Sequence, residues 1–215
     1  MVTVVSEATK AHLVQVVKVN PDKIRVISNF VSPQFKPTLK PFNEIPVVLL
    51  IGTAHNKNLQ RCIHALKDIK CKIVLVGYPE NELLKLLDSQ ANEFKVLNDL
   101  SENELIKCYN TCDFLLFASI LEGFGLPIIE AQATGRPVIT ANLSSMPEVA
   151  GDGACLVDPY SVESIRTGIL KVINNSEYRN SLIEKGFENV KRYSLEKVAS
   201  QYAALYEEVY ANQKK

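Results

Sequence analysis

The sequence lacks an excess of either charge, a long apolar run and a recognisable secretion signal. Its 24 basic residues are matched by 24 acidic ones, so charge gives no reason to expect nucleic acid or an anionic membrane as the main partner. The longest apolar runs, Val47–Ile51 and residues 114–118, are far shorter than the roughly 20 residues of a membrane-spanning helix. The first residues are not a basic stretch followed by a long apolar run, so we expect no secretory signal.

The cysteines do not form the even, regularly spaced set that is typical of a disulfide framework. There are five, and we expect them to be reduced thiols in a cytoplasmic protein. Cys108 and Cys112 lie one helical turn apart, but no second pair of cysteines or histidines follows at the spacing of metal ligands. The pattern therefore favours buried packing residues over a metal site.

From Pro46 onward, short apolar runs alternate with segments of helical periodicity. Apolar strands that are each followed by a helix indicate a parallel sheet covered on both faces. We therefore predict a doubly wound α/β fold, whose ligands bind beyond the carboxyl ends of the strands. Strands are predicted at residues 47–51, 72–76, 94–97, 113–118, 137–141 and 154–157. Helices are predicted at 58–68 and 79–87, from the capping box of Ser101 and Glu104, from Pro127, and after Ser161 with breaks near 174–176 and 193–194.

The beginning of the chain has a different organisation. The pattern over residues 1–30 predicts a strand, a helix capped by Ser6 and a second strand, too little to form a core of its own. Residues 31–46 hold four prolines and indicate a linker. We expect residues 1–30 to be the end of a domain that is otherwise absent, 47–193 to form one domain, and 194–215 to form a final helix.

The segment from Leu121 to Glu130 carries the clearest chemical signal. It joins a predicted strand to the helix at Pro127, and its two glycines allow the backbone to approach a ligand closely. The free amides and positive dipole of a helix start form a site for an anion such as a diphosphate. A carboxylate in the first turn, such as that of Glu130, can accept hydrogen bonds from two sugar hydroxyls. A turn of this kind is also common in proteins where it has no function. The functional interpretation therefore depends on the complete string of residues around it.

The string from Glu122 to Glu130, Glu-Gly-Phe-Gly-Leu-Pro-Ile-Ile-Glu, resembles the E-x7-E motif of retaining GT-B glycosyltransferases of family 4, also called group 1. Further stretches along nearly the whole chain are similar to the same family. They are residues 6–10, 23–29, 118–119, 131–139, 145–149, 151–153 and 156–159. The resemblance implies that the fold is the Rossmann-like C-terminal half of a GT-B enzyme, followed by C-terminal helices.

The resemblance also implies roles for individual residues. Glu130 would hold the ribose hydroxyls of a nucleotide sugar, and Glu122 is the predicted catalytic residue that holds the donor sugar. Lys57 resembles the family lysine that neutralises the diphosphate, where charge develops as the glycosidic bond breaks. The full set predicted to bind the donor is Lys57, Asn58, Gly123, Phe124, Gly125, Leu126 and Glu130.

One position departs from the family pattern. Many relatives have arginine directly after the glycine that matches Gly52, whereas this chain has Thr53. Phosphate contacts are therefore expected from Lys57, Asn58 or backbone amides, and His55 could also reach the site. Loops 77–79, with Tyr78, and 97–100 are expected to surround the base, which leaves UDP, GDP and ADP open as the nucleotide.

The implied reaction is transfer of a hexose from a nucleotide sugar to a hydroxyl acceptor, with retention at the anomeric carbon. We expect no cofactor and no metal, because the chain has no Asp-x-Asp string and lysine with helix-end amides can replace a cation. The alternatives are a non-catalytic nucleotide-binding module and a sugar-nucleotide epimerase of GT-B architecture. A glycosidase fits the glutamate placement less well. A dinucleotide oxidoreductase is disfavoured because no Gly-x-Gly-x-x-Gly follows the first strand of the sheet.

The resemblance assigns the acceptor to an N-terminal domain of which only residues 1–30 are expected here. Residues 194–215 would reach back towards that missing domain. We therefore expect the chain to bind donor and to be inactive alone. Membrane association of a full-length enzyme, at the inner face of the membrane, is compatible with the family, as is a role in glycan biosynthesis.

Overall fold

The first residues form a small strand–helix–strand unit, as the sequence predicts. Strands β1 (Val2–Val4) and β2 (Ile24–Val26) pair in parallel, and helix α1 (Glu7–Val17) connects them. Ser6 caps α1 because its hydroxyl oxygen accepts a hydrogen bond from the Thr9 amide at 3.0 Å, which satisfies one of the free amides at a helix start.

The computed structural model, which describes residues 1–90 and 92–213, contains a second, six-stranded sheet. Its strands are β3 (Val47–Ile51), β4 (Lys72–Val76), β5 (Glu93–Leu97), β6 (Phe114–Phe117), β7 (Val138–Ala141) and β8 (Ala154–Val157). Every pairing is parallel and the order is β5-β4-β3-β6-β7-β8, so the doubly wound prediction is confirmed. The order reverses between β3 and β6, and the loops after these two strands meet there.

The predicted helices are present with shifted ends, and a short helix at Met146–Ala150 was not predicted. The helix predicted over residues 58–68 is wrong in its length, because the chain turns after Ala65 and Asp68 has a φ of 60°. The capping box of Ser101 and Glu104 is confirmed. The helices are α2 (Leu59–Ala65), α3 (Asn81–Asp88), α4 (Glu102–Thr111), α5 (Leu126–Ala133), α6 (Met146–Ala150), α7 (Val162–Asn174), α8 (Ser176–Val190) and α9 (Leu195–Gln213). Short 3-10 turns lie at Pro21–Lys23, His55–Lys57 and Lys191–Tyr193.

Apolar side chains fill both faces of the large sheet. On one face, Leu50 of β3 belongs to a cluster with side chains of α2 and α7. On the other, Leu49 packs in a cluster with side chains of α4, α5 and α6. Strands β6 and β7 are buried along their whole length, which explains why β6 is a continuous apolar run. The polar residue of β7, Thr140, donates its hydroxyl to the Phe117 carbonyl at 2.8 Å.

Asp113 joins the proline-rich segment to the sheet. Its buried carboxylate accepts hydrogen bonds from the Asn43 amide at 3.1 Å, the Asn43 side chain at 2.8 Å and the Val47 amide at 2.7 Å, and pairs with Lys40. Arg136 donates to the Thr38 carbonyl on the same segment. A segment with few hydrogen bonds of its own is thereby fixed where β3 and β6 begin.

The last helix packs back on the N-terminal unit. Val198 and Leu205 of α9 form a buried cluster with Ile27, which follows β2. Arg25 of β2 also pairs with Glu208 at 2.8 Å. The division into domains that the sequence predicts stays a prediction.

The cysteines are free and buried, which confirms that they pack in the interior. Burial raises the pKa of Cys62 to about 12 and that of Cys71 to about 11, so both remain thiols at neutral pH. The five buried thiols are Cys62, Cys71, Cys108, Cys112 and Cys155.

Among the residues that the structure describes, no helix combines the length and the apolar character that a bilayer crossing requires.

We predict that Asp113→Ala lowers the free energy of unfolding by about 3 kcal/mol, because the buried amides and Lys40 lose the carboxylate that accepts their hydrogen bonds. Denaturant unfolding measures this as a lower midpoint. Glu93→Ala is the control, since it removes an acidic partner from the exposed Lys72–Glu93 pair and should barely move the midpoint. Equal midpoints for Asp113→Ala and the unchanged chain would contradict the anchoring role.

Candidate functional site

The loops after β3 and β6 are tied together where the strand order reverses. The Ile120 amide donates to the Asn56 carbonyl at 2.8 Å. Asn58 is buried, and its side-chain nitrogen donates to the carbonyls of Ala118 at 3.0 Å and Pro159 at 2.7 Å. These hydrogen bonds place Asn58 as a brace between loops, and a direct contact of Asn58 with a ligand stays a prediction.

Lys57 and Glu122 form an ion pair across the two loops. The Lys57 ammonium lies 2.6 Å from Glu122 Oε1, and the two side chains are 19% and 13% exposed. The ammonium also lies 4.8 Å from the centre of the Phe117 ring, a favourable position for a cation. The alkyl chain of Lys57 crosses Gly52, where a Cβ would come within 2.8 Å of Cε. Glycine at 52 therefore makes room for the lysine.

The glycine turn leads directly into α5. Gly125 has a φ of 105° and is the N-cap residue of α5, so no side chain competes for the amides of the first turn. Phe124 is buried and packs edge-on against Tyr193 with ring centres 5.5 Å apart, whereas Leu126 is 39% exposed. The turn thus has a fixed inner side chain and an open start of a helix, which is the arrangement that binds anions.

Two serines after β7 hold the carbonyls of this turn. Ser144 Oγ donates to the Glu122 carbonyl at 2.8 Å, and Ser145 Oγ lies 3.0 Å from the same carbonyl and 2.8 Å from that of Phe124. The sequence did not indicate these two serines as part of the site. The φ of 58° at Ser144 marks a tight turn that residue types alone do not specify.

Glu130 lies in the second turn of α5, and its predicted position in the first turn is wrong because the helix already begins at Leu126. The residue that fixes its carboxylate was not predicted from the sequence. The buried Tyr109 of α4 donates its hydroxyl to Glu130 Oε2 at 2.6 Å. Burial raises the pKa of Glu130, and the hydrogen bond from Tyr109 works in the opposite direction. Burial and the nearby Glu130 carboxylate raise the pKa of Tyr109 well above its ordinary value. The second oxygen of Glu130 can accept a hydrogen bond from a ligand.

The two glutamates of the motif occupy separate positions. Glu122 pairs with Lys57 before the turn, and Glu130 pairs with Tyr109 behind it. Among residues 1–90 and 92–213, no three His, Cys, Asp or Glu side chains group as metal ligands, and the expectation of a metal-free site stays a prediction.

Thr53 lies in the loop that follows β3, and Tyr78 lies in the loop that follows β4. Gly77 has a φ of 137°, and a Cβ there would come within 2.8 Å of Thr53 Cγ2, so Thr53 fills the space over this glycine. Tyr78 is 61% exposed, and a hydrogen bond with Asp99 raises its pKa. His55 is also exposed.

A family model and several known proteins match this chain. The family model described as "Glycosyl transferases group 1" matches residues 32–189. O-antigen chain mannosyltransferase B of Escherichia coli is 29% identical over 170 residues, which cover 74% of this chain and 45% of that protein. The chain thus spans about half the length of this curated relative.

Solved structures share the fold over almost the whole chain. A glycosyltransferase from Rickettsia africae ESF-5 has a TM-score of 0.86 and 24% identity, with coverage of 98% of this chain and 63% of that one. Anabaena Alr3699/HepE, solved in complex with UDP and glucose, has a TM-score of 0.86 and 19% identity, with coverage of 96% and 62%. At these identities the likeness establishes the fold.

We predict that Tyr109→Phe raises the pKa of Glu130 further, because the hydrogen bond that favours its charged form is lost while the burial remains. A carbon NMR titration of the glutamate carboxyl groups measures this shift directly. Tyr78→Phe, on an exposed tyrosine, is the control and should leave the titration of Glu130 unchanged. A lower or equal pKa in Tyr109→Phe would show that the hydroxyl does not stabilise the carboxylate.

Proposed function

Since the chain belongs to the glycosyl transferases group 1 family, whose model matches residues 32–189, we propose that it is the donor-binding part of a retaining, metal-independent hexosyltransferase of family 4. The donor is a nucleotide sugar and the acceptor is a hydroxyl group. The observation that carries this proposal is the Lys57–Glu122 pair, which bridges the two loops beside the open start of α5.

In this proposal the donor diphosphate lies between the glycine turn and Lys57. A diphosphate carries more negative charge than one carboxylate, so it can draw the Lys57 ammonium away from Glu122. The amides around Phe124, Gly125 and Leu126 supply further donors at the positive end of α5. Asn58 holds the lysine loop in place through its hydrogen bonds to the carbonyls of Ala118 and Pro159.

The two glutamates hold the remaining parts of the donor. Glu130, fixed by Tyr109, accepts hydrogen bonds from the ribose hydroxyls. Glu122, released from Lys57 by the diphosphate, contacts the sugar next to the bond that breaks. During transfer the acceptor oxygen bonds to the anomeric carbon on the face from which the diphosphate oxygen departs, so the configuration is retained. The proton of the acceptor hydroxyl passes to the departing diphosphate as its bond to carbon breaks. The electron pair stays on the diphosphate, where Lys57 and the amides stabilise it.

Two further proposals concern the sugar and the rest of the enzyme. The E. coli relative is a mannosyltransferase, which favours mannose as the hexose, and the Anabaena structure was solved with UDP and glucose. We propose that the acceptor binds to an N-terminal domain and that residues 1–30 belong to it, with α9 reaching back towards it. We further propose that the enzyme is cytoplasmic and takes part in glycan biosynthesis.

We predict that the chain binds one of UDP, GDP and ADP, and that Glu130→Ala weakens this binding by roughly 10- to 100-fold. This is the range expected when a hydrogen bond to a charged group is lost. Calorimetric titration measures the affinity. Glu177→Ala, which removes an exposed carboxylate from the first turn of α8, is the matched control and should bind normally.

Three outcomes of this titration and a product assay separate the candidate functions. Binding that Glu130→Ala leaves unchanged would place the nucleotide elsewhere on the chain. A changed sugar nucleotide after incubation with donor alone would identify an epimerase. Sugar transfer to any acceptor by this chain alone would overturn the proposal that the acceptor domain is required.

A further inference from the structure

The first turn of α1 contacts the glycine turn directly. Ser6, whose side chain is fully buried, donates its hydroxyl to the Gly123 carbonyl at 2.7 Å, and the Thr9 hydroxyl lies 3.0 Å from the same oxygen. These contacts join residues more than 100 positions apart in sequence. The glycine turn is therefore held from the N-terminal unit as well as from the serines after β7.

Glu148 of α6 holds the start of α1. Its carboxylate accepts hydrogen bonds from the amides of Glu7 at 2.9 Å and Ala8 at 3.2 Å. These are two of the free amides that every helix start presents, at the positive end of the helix dipole. None of the 11 residues of α1, all of which the structure describes, is buried. Polar contacts at its first turn therefore fix α1 more than apolar packing does.

The hydroxyls determine which way the amides of the glycine turn point. In a trans peptide the carbonyl and the N–H point in opposite directions. The Gly123 carbonyl shares its peptide with the Phe124 amide, so the hydroxyls of Ser6 and Thr9 direct that amide away from α1. Ser144 and Ser145 act in the same way on the peptides that carry the amides of Gly123 and Gly125. Successive oriented amides of this kind bind anions.

We propose that Glu148 is a positioning residue for the donor site. It seats α1 so that the hydroxyls of Ser6 and Thr9 orient the Gly123–Phe124 peptide, and this orientation aims the Phe124 amide at the donor phosphate. Glu148 touches neither sugar nor nucleotide in this arrangement and acts only through α1. The inference rests on the proposed function for its consequence in binding, whereas the coupling of α1 to the glycine turn can be measured without a ligand.

The first test is amide hydrogen exchange of Glu148→Gln in the absence of nucleotide. Glutamine keeps the size of the side chain but removes its charge and one of its two acceptor oxygens. We expect faster exchange of the Glu7 and Ala8 amides together with faster exchange within the glycine turn. Glu163→Gln, on an exposed glutamate in the first turn of α7, is the control. Faster exchange confined to α1 would overturn the coupling.

The second test is a double-mutant cycle on affinity for the nucleoside diphosphate that the unchanged chain binds. Glu148→Gln should weaken binding about tenfold, because the Phe124 amide is no longer held towards the phosphate and one charge-assisted hydrogen bond to the ligand is weakened. Thr9→Val removes a hydroxyl from the Gly123 carbonyl and should weaken binding in the same direction. Both substitutions act through the contact between α1 and the glycine turn. The double variant should therefore lose less affinity than the product of the two single losses. Independent effects, or normal affinity in Glu148→Gln, would contradict the inference.

The two tests also separate this inference from the proposed function. If the unchanged chain binds none of UDP, GDP and ADP, the donor-site proposal fails, and the exchange measurement still decides whether Glu148 couples α1 to the turn. If Glu148→Gln does not fold, Thr9→Val alone must show faster exchange within the glycine turn. Normal exchange there in Thr9→Val would overturn the inference.

Discussion

β3 and β6 lie side by side at the centre of the large sheet, and Asp113, the residue before β6, fixes their junction by binding both backbone groups of Val47. Its carboxylate accepts a hydrogen bond from the Val47 amide at 2.7 Å, and its own amide donates to the Val47 carbonyl at 2.8 Å. Because the strand order reverses here, the loops after β3 and β6 are neighbours,. Lys57 can meet Glu122 only because these two strands are adjacent.

Local signals explain which parts of this site could be predicted from sequence. Glycine at 125 and proline at 127 specify a turn into a helix, whatever the rest of the chain does. The E-x7-E spacing places Glu122 and Glu130 on either side of that turn. The partners of these residues carry no such signal. Tyr109 occupies a helix position that suits ordinary packing, and nothing local to Glu148 indicates that it caps a helix 140 residues earlier.

The fold, like the site, could be predicted where neighbouring residues carry the signal. Buried strands appear as apolar runs because both faces of the sheet are covered, and the capping box of Ser101 and Glu104 marks a helix start from adjacent residues alone. The end of α2 could not be predicted from adjacent residues. The chain turns after Ala65 with a left-handed φ at Asp68, and aspartate adopts both left-handed and right-handed conformations. The brace formed by Asn58 likewise depends on carbonyls from two distant loops.

The charges around Lys57 bear on the role that we propose for the backbone amides of the glycine turn. Lys57 carries one positive charge, and the carboxylate of Glu122 balances that charge in the structure. Thr53, in the loop after β3, carries no charge and fills the space over Gly77. A diphosphate would therefore depend more on the start of α5 and on the amides of the glycine turn. Those amides are directed by hydroxyls from two separate segments, and Glu148 links the two by holding α1 against α6.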